Sequence, residues 1–332
     1  MSRIVTGERP TGPLHLGHYF GTLANRIAYQ SDGHELFVVI ADYQVITDRD
    51  RAEDPRGTVL NLVLDYLAAG LDPDRTVVFV HSEITALHQL MLPFLSLVSV
   101  GELQRNPTVK DEIAHSRQER VSGLMFTYPV HQAADVLSCQ GELVPVGRDQ
   151  LPHVELMRTV ARRFAERYAP VFTLPRPVLS DAPLLAGLDG GKMSKSRNNA
   201  IALNCDPDEV ARLVRAARTD SERSITYDPA RRPEIAGLLQ LAAVCTGLAP
   251  TEVAASIGAG GAAALKTLVT DAVNDLLQPM RQRRAQYSLD DAAAILERGN
   301  RVADAEAECT LDRVRAAMGM DYGRQPRTAL RV

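Results

Sequence analysis

The chain has 332 residues, 45% of them hydrophobic and 23% charged, with a formal net charge of −4, which fits one large α/β unit or two domains of an ordinary globular protein. Near-balanced charge excludes a uniformly basic surface, so a nucleic-acid partner has to be held by local patches. Four scattered cysteines, at 139, 205, 245 and 309, form no C-x-x-C pair and argue against a thiolate zinc site or a disulfide framework, and no apolar run reads as long enough to span a bilayer.

The opening residues, MSRIVTGERP, pass into a β-like run without the basic, apolar, small-residue order of a secretion signal, which predicts a cytoplasmic protein. Three runs, 3–7, 35–42 and 76–82, are nearly continuous in apolar and β-branched residues, as strands covered on both faces are. Between the second and third, a helix starting at 57 stops at Gly70 and Pro73. Residues 84 to about 137 are helical in pattern and precede a strand at 142–147. Val154, Met157, Ala161, Phe164 and Tyr168 then form the apolar stripe of a further helix. The Pro-rich run 169–183 reads as a loop. Segments 207–218, 233–247, 262–286 and 290–318 read as helices, and GAGGAAA at 258–264 as a helix junction. The pattern predicts an α/β fold: a Rossmann-like, doubly wound parallel sheet with a helical insertion and a C-terminal α-helical domain.

Two segments carry chemistry. In RPTGPLHLGH, His15 and His18 follow the first strand at a βα turn, where parallel sheets bind nucleotides. Starting a helix on one face, two imidazoles and the helix-terminal N–H groups aim donors at one set of phosphate oxygens. Gly17 between them leaves the backbone open to a base or ribose. Spacing alone also suits a metal pair or two surface histidines, but a metal needs a third ligand, and no nearby His, Cys or Glu offers one in sequence. In GLDGGKMSKSRNNAIAL (187–203), Lys192 and Lys195 with Ser194 and Ser196 sit on a Gly-rich loop. Mobile ammonium groups suit the transient charge of a pentacoordinate phosphate; a merely solvated loop has the same composition.

Together these segments resemble the paired HIGH and KMSKS signatures of the class I aminoacyl-tRNA synthetases, the second letter for letter. TGERPTG (6–12), GLDP (70–73), GEL (101–103), YPVHQAADVL (128–137), VPVGRDQLPHVE (144–155) and TDSE (219–222) resemble the bacterial-type tryptophanyl branch, over residues 3 to about 320. The resemblance implies ATP with Mg²⁺, no metal ligated by protein side chains, L-tryptophan and tRNA(Trp) as partners, and a homodimer. It implies a catalytic domain at 1–188 with the insertion at about 84–137, the KMSKS loop at 189–204, and a helical anticodon-binding domain at 205–332.

The site residues it implies are catalytic His15, His18, Lys192 and Lys195. ATP would be bound by Arg9, Thr11, Gly12, Gly17, His18, Lys110, Gly147, Asp149, Lys192, Met193, Ser194, Lys195 and Ser196. Tryptophan would be bound by Val5, Gly7, Gln44, Tyr128, Gln132, Asp135, Val144, Val146 and Gln150. Asp135, a carboxylate among Ala, Val and Leu, suits an indole N–H, which only donates, and equally suits a structural ion pair. Val144 and Val146 share a strand face. Asp149 accepts from ribose hydroxyls or caps the next helix. Arg9, Gln44 and Arg148 depart from residues found in some members of the family. For tRNA contact, RQRR at 281–284 and Arg313, Arg315, Arg324 and Arg327 supply cations. A tyrosyl synthetase, a nucleotidyltransferase sharing the H-x-G-H turn, and a regulatory paralogue are the competing readings.

Overall fold

The computed structural model describes residues 1–46, 54–115, 121–179, 185–191, 193, 197 and 199–323. Five parallel strands, β1 (Arg3–Glu8), β2 (Glu35–Ile40), β3 (Thr76–Val80), β4 (Leu143–Val146) and β5 (Arg176–Leu179), form one sheet in the order β3-β2-β1-β4-β5. The order reverses between β1 and β4. In such sheets ligands enter outside the strands' C-terminal ends at that crevice.

The first three strands fall where their apolar runs place them, ending one or two residues from the expected limits. The fifth is a correction: β5 lies inside the run read as a loop. Pro175 and Pro177 hide it, yet β5 is the sheet's edge strand, where a residue without an N–H is tolerated.

The helices in chain order are α1 (Leu16–His18), α2 (Ala24–Ser31), α3 (Pro55–Ala69), α4 (Thr85–Leu95), α5 (Val100–Arg105), α6 (Pro107–His115), α7 (Gly123–Ser138), α8 (Leu151–Arg167), α9 (Pro207–Ala216), α10 (Pro233–Thr246), α11 (Pro250–Ile257), α12 (Gly261–Arg284) and α13 (Leu289–Ala317). Gly70 caps α3 at φ 112°, as its place in the sequence requires. In α8 the expected stripe is buried except Tyr168, which lies past the helix end and is 37% exposed. One face of the sheet packs on α4, α7 and α8, with Val5, Phe37, Val77, Val144 and Phe164 in the core. The other face, with Ile4, Leu36 and Val38, is covered by α3 and continues into a core shared with α9 to α12.

A further correction concerns Pro250–Arg284, which is long and apolar enough by composition to cross a membrane. Its apolarity comes from seven alanines and nine Val, Ile, Leu and Met residues. Gly258 at φ 54° and Gly261 at φ 75° break it into α11 and α12, and Leu265, Val269, Val273, Leu277 and Met280 of α12 form a buried stripe against the core.

α13 covers the free edge of β3. The Val80 N–H donates to Asn300 Oδ1 at 2.9 Å, and a side chain at Gly299 would overlap the Val78 carbonyl. Pairing or covering an edge strand removes unsatisfied backbone groups. Gly299→Ala is therefore expected to destabilise the protein by about 1–3 kcal/mol through overpacking. Urea unfolding checks this, and an unchanged midpoint would show that α13 yields without strain.

Candidate active site

The turn after β1 needs Gly12 at φ 120° to bring the chain back across the sheet's C-terminal edge. His15 precedes α1, and His18 ends it. The His15 N–H donates to His18 Nδ1 at 3.2 Å, and the two rings lie 3.8 Å apart, so the imidazoles form one cluster at the sheet's reversal point. A π-helical turn, Tyr19–Leu23, follows directly; such turns are frequent at functional sites.

The second motif comes to the first. Residues 201–203 run antiparallel to the histidine turn: the Leu16 N–H donates to the Ile201 carbonyl at 3.0 Å and the Leu203 N–H to the Leu14 carbonyl at 2.8 Å. A Cβ placed on Gly17 would lie 3.0 Å from the His15 ring and 3.3 Å from Met193 Sδ. Gly17 thus admits the close approach of both motifs. Lys192, Ser194, Lys195 and Ser196 fall outside the described residues. The base of their loop is fixed by Asp189, whose carboxylate accepts from Asn199 Nδ2 at 2.7 Å and from the Gly191 N–H at 3.0 Å.

Asp65 of α3, which the sequence reading did not single out, braces the turn from behind. It is buried, accepts from the Leu14 N–H at 2.9 Å, and pairs with Arg284 of α12 at 2.6 Å. The arginines of RQRR, expected at tRNA, are engaged within the chain: Arg281 Nε donates to the Cys205 carbonyl, while Arg283 Nε donates to the Ala68 carbonyl and Arg284 to Asp65, so the latter two tie α12 to the α/β unit. Arg313 donates to Thr310, and Arg315 to Asp312 and Gln89. Arg324 and Arg327 lie outside the described residues.

Of the residues expected around the amino acid, Val5, Val144 and Val146 lie on the sheet face that packs on α7, and Tyr128, Gln132 and Asp135 lie on α7 itself. Val5 is fully buried and Val144 nearly so, while Val146 is half-buried on the same side. Gly7 is exposed, and a Cβ there would overlap Val39. Arg9, Gln44 and Gln132 are half-buried. Tyr128 is buried, with its hydroxyl 3.3 Å from His153 Nε2; burial, with Glu112 beside it, raises its pKa. Gly147 and Asp149 are exposed beyond β4, as are Thr11 and Lys110, while Gln150 is half-buried. Asp149 does not cap α8, since Gln150 occupies that place. Its carboxylate accepts from Gln150 Nε2 at 2.8 Å, and its carbonyl accepts from Thr108 Oγ1 at 3.1 Å, which ties the Lys110-bearing helix to this loop.

Asp135 is 2% exposed, and its Oδ1 is 3.2 Å from His81 Nδ1, so the structural partner weighed for it from sequence is present. His81 belongs to a group with His88 and His131, whose facing nitrogens are 2.9 Å apart. The sequence reading missed this group. Its one signal was a histidine closing a parallel strand, VVFVHS, at the sheet edge where sites form.

Burial pulls the pKa of His131 and of His153 down to about 4. The unfolded chain, with histidine near 6.5, then binds more protons than the folded one between those values. Stability is complete above about pH 6.5 and falls as pH drops toward 4, by about 2 kcal/mol per histidine at pH 5. Urea midpoints at pH 7.5 and 5 are expected to differ accordingly, and a His131→Leu/His153→Leu variant to flatten the dependence. An equally steep dependence in that variant would place the effect elsewhere.

A turn of imidazoles and amides at the reversal point of a parallel sheet, met by Met193 and by residues 201–203, is the arrangement of an adenylate-forming class of enzyme. The family model for class I tRNA synthetases (W and Y) matches residues 1–278, and the chain belongs to that family. The tryptophan–tRNA ligase of Treponema pallidum (strain Nichols) is 42% identical over 330 residues, covering 96% of this chain and 97% of the relative. That of Streptococcus agalactiae serotype V is 39% identical over 336 residues, covering 96% and 98%. The crystal structure of tryptophanyl-tRNA synthetase from Campylobacter jejuni complexed with ADP and tryptophan matches with a TM-score of 0.84 at 26% identity, over 96% of this chain and 99% of that one. Tyrosyl-tRNA synthetase from Archaeoglobus fulgidus complexed with L-tyrosine gives 0.65 at 25% identity, over 85% and 90%.

Proposed function

We infer that the protein activates L-tryptophan with ATP, forming tryptophanyl-adenylate and pyrophosphate, and transfers the aminoacyl group to the 3′-terminal ribose of tRNA(Trp), releasing AMP. The observation that carries this reading is the approach of both signature motifs to Gly17 from sequence positions far apart.

The tryptophan carboxylate attacks the α-phosphate. It is already anionic, so the step needs no general base and depends on alignment and charge stabilisation. His15 and His18 bind the triphosphate from the sheet side. Lys192, Lys195, Ser194 and Ser196, with Met193 at the seam, close over it and keep water from the adenylate. Gly147 lets the adenosine approach, Asp149 accepts from its ribose, and Arg9, Thr11, Gly12 and Lys110 flank the phosphates. Asp135 takes the indole N–H; Tyr128, Gln132, Gln150, Gln44, Gly7, Val5, Val144 and Val146 shape the rest of the pocket. Imidazoles and amides suit phosphate oxygens rather than a cation, and among the described residues no cluster of acidic, His and Cys side chains is placed to hold a metal. Bound Mg²⁺ would be carried by the triphosphate and would neutralise its oxygens.

The same reading places the catalytic domain at 1–188, the loop at 189–204 and the anticodon-binding helices at 205–332, in a cytoplasmic homodimer. Leu92 and Val100, 73% and 64% exposed on α4 and α5, are apolar side chains that a second copy would cover. The test is pyrophosphate exchange driven by single amino acids. Tryptophan is expected to support it and tyrosine to fail; the reverse order would make the enzyme tyrosyl.

A further inference from the structure

His81 follows β3 directly, opening the turn His81–Glu83, and is fully buried. The Tyr43 backbone N–H, which can only donate, lies 3.0 Å from its Nε2. In the neutral ring this puts the hydrogen on Nδ1, and in the imidazolium both nitrogens carry one. Either way Nδ1–H donates to Asp135 Oδ1 at 3.2 Å. The far side of the ring faces a second carboxylate, which pairs with Nε2 only when the ring is protonated. Asp42 Oδ1 stands 3.3 Å from Nε2 and itself accepts from the Tyr43 and Ser82 N–H groups, at 3.0 and 3.2 Å. The His131 ring packs 4.6 Å away and that of Tyr43 5.6 Å away.

We propose that His81 is a positioning residue for indole recognition: by donating to Oδ1 it fixes the Asp135 carboxylate and leaves the second oxygen for the substrate N–H. This rests on the reading of Asp135 given above. It adds that discrimination is set by a residue 54 positions away in sequence, on the neighbouring turn, and that the Tyr43–Ile46 turn carrying Gln44 is held to the same imidazole. A carboxylate left free to rotate, or to take up a proton in its apolar setting, loses its selectivity for a donor.

The test compares tryptophan with its benzothiophene isostere, which has sulfur in place of N–H, in pyrophosphate exchange. A site built on a hydrogen bond rejects the analogue that lacks it. In His81→Leu the KM for tryptophan is expected to rise about tenfold or more, with the KM for ATP unchanged and the preference for tryptophan shrinking by about the same factor. His81→Asn and His81→Gln separate positioning from packing and serve even if the leucine variant does not fold. The asparagine amide falls where Nδ1 stood and is expected to keep most of the preference, whereas the glutamine amide reaches the Nε2 position and is expected to lose it. Equal preference in these two variants and the wild type would overturn the proposal while leaving Asp135 in place. A wild-type enzyme indifferent to the isostere would overturn the Asp135 reading itself, and His81 with it.

Discussion

Lys195→Ala is expected to slow tryptophan-dependent pyrophosphate exchange by about 10²–10³-fold, with the dissociation constant for tryptophan changed less than twofold. The asymmetry follows from where charge develops. On the proposed reading tryptophan binds on the α7 side of the sheet, whereas negative charge accumulates on the α-phosphate and departing pyrophosphate, next to the histidine turn. The loop's base is rigid: Asp189 ties Gly191 to Asn199, and residues 201–203 are hydrogen-bonded to the histidine turn. On that reading the ammonium groups bind the triphosphate and gain most as charge builds on it in the transition state, while touching tryptophan little. Equilibrium tryptophan binding and pre-steady-state adenylate formation separate the two quantities. A normal exchange rate in the variant would remove the loop from the chemistry.

Much of this arrangement could be read from the sequence because it is local. Continuous β-branched runs marked the first three strands, and two short motifs marked the proposed nucleotide site. What could not be read depended on packing between distant segments. Nothing near Asp135 indicates that His81 reaches it, or that Arg284 reaches Asp65 across 219 positions. The arginines of RQRR look the same in sequence whether they face solvent or a carbonyl, and the fold sets them against carbonyls and a carboxylate. β5 escaped notice because proline removes the alternation and the N–H by which strands are recognised, and only its place at the sheet edge makes that harmless.

The largest stability effect is expected at Arg26. This arginine of α2 is 2% exposed, and its Nη1 donates to Glu8 Oε1 at 2.7 Å, while the hydroxyl of the fully buried Tyr66 donates to the same oxygen at 2.9 Å. Burial would raise the Glu8 pKa, but the Arg26 guanidinium more than offsets it and holds the carboxyl below its ordinary value. Arg26→Met leaves that carboxylate largely buried with one neutral donor, at an expected cost of about 3–5 kcal/mol in urea unfolding at pH 7. The pH dependence has a definite sign. In the wild type the depressed pKa contributes stability above the unfolded value, near 4.3, that is lost as pH falls through the folded one. In the variant the Glu8 pKa rises, the folded protein holds a proton there, and the deficit against wild type narrows as pH falls toward 4.5. Adding Glu8→Gln removes the stranded charge and is expected to restore more than half of the loss, since the two residues share one interaction. A deficit below about 1 kcal/mol, equal at both pH values, would mean that water reaches Glu8 freely. Gly7 precedes Glu8 on β1 and Arg9 follows just past its end, so the pair that stabilises the fold also fixes the strand end from which the proposed tryptophan and phosphate contacts project.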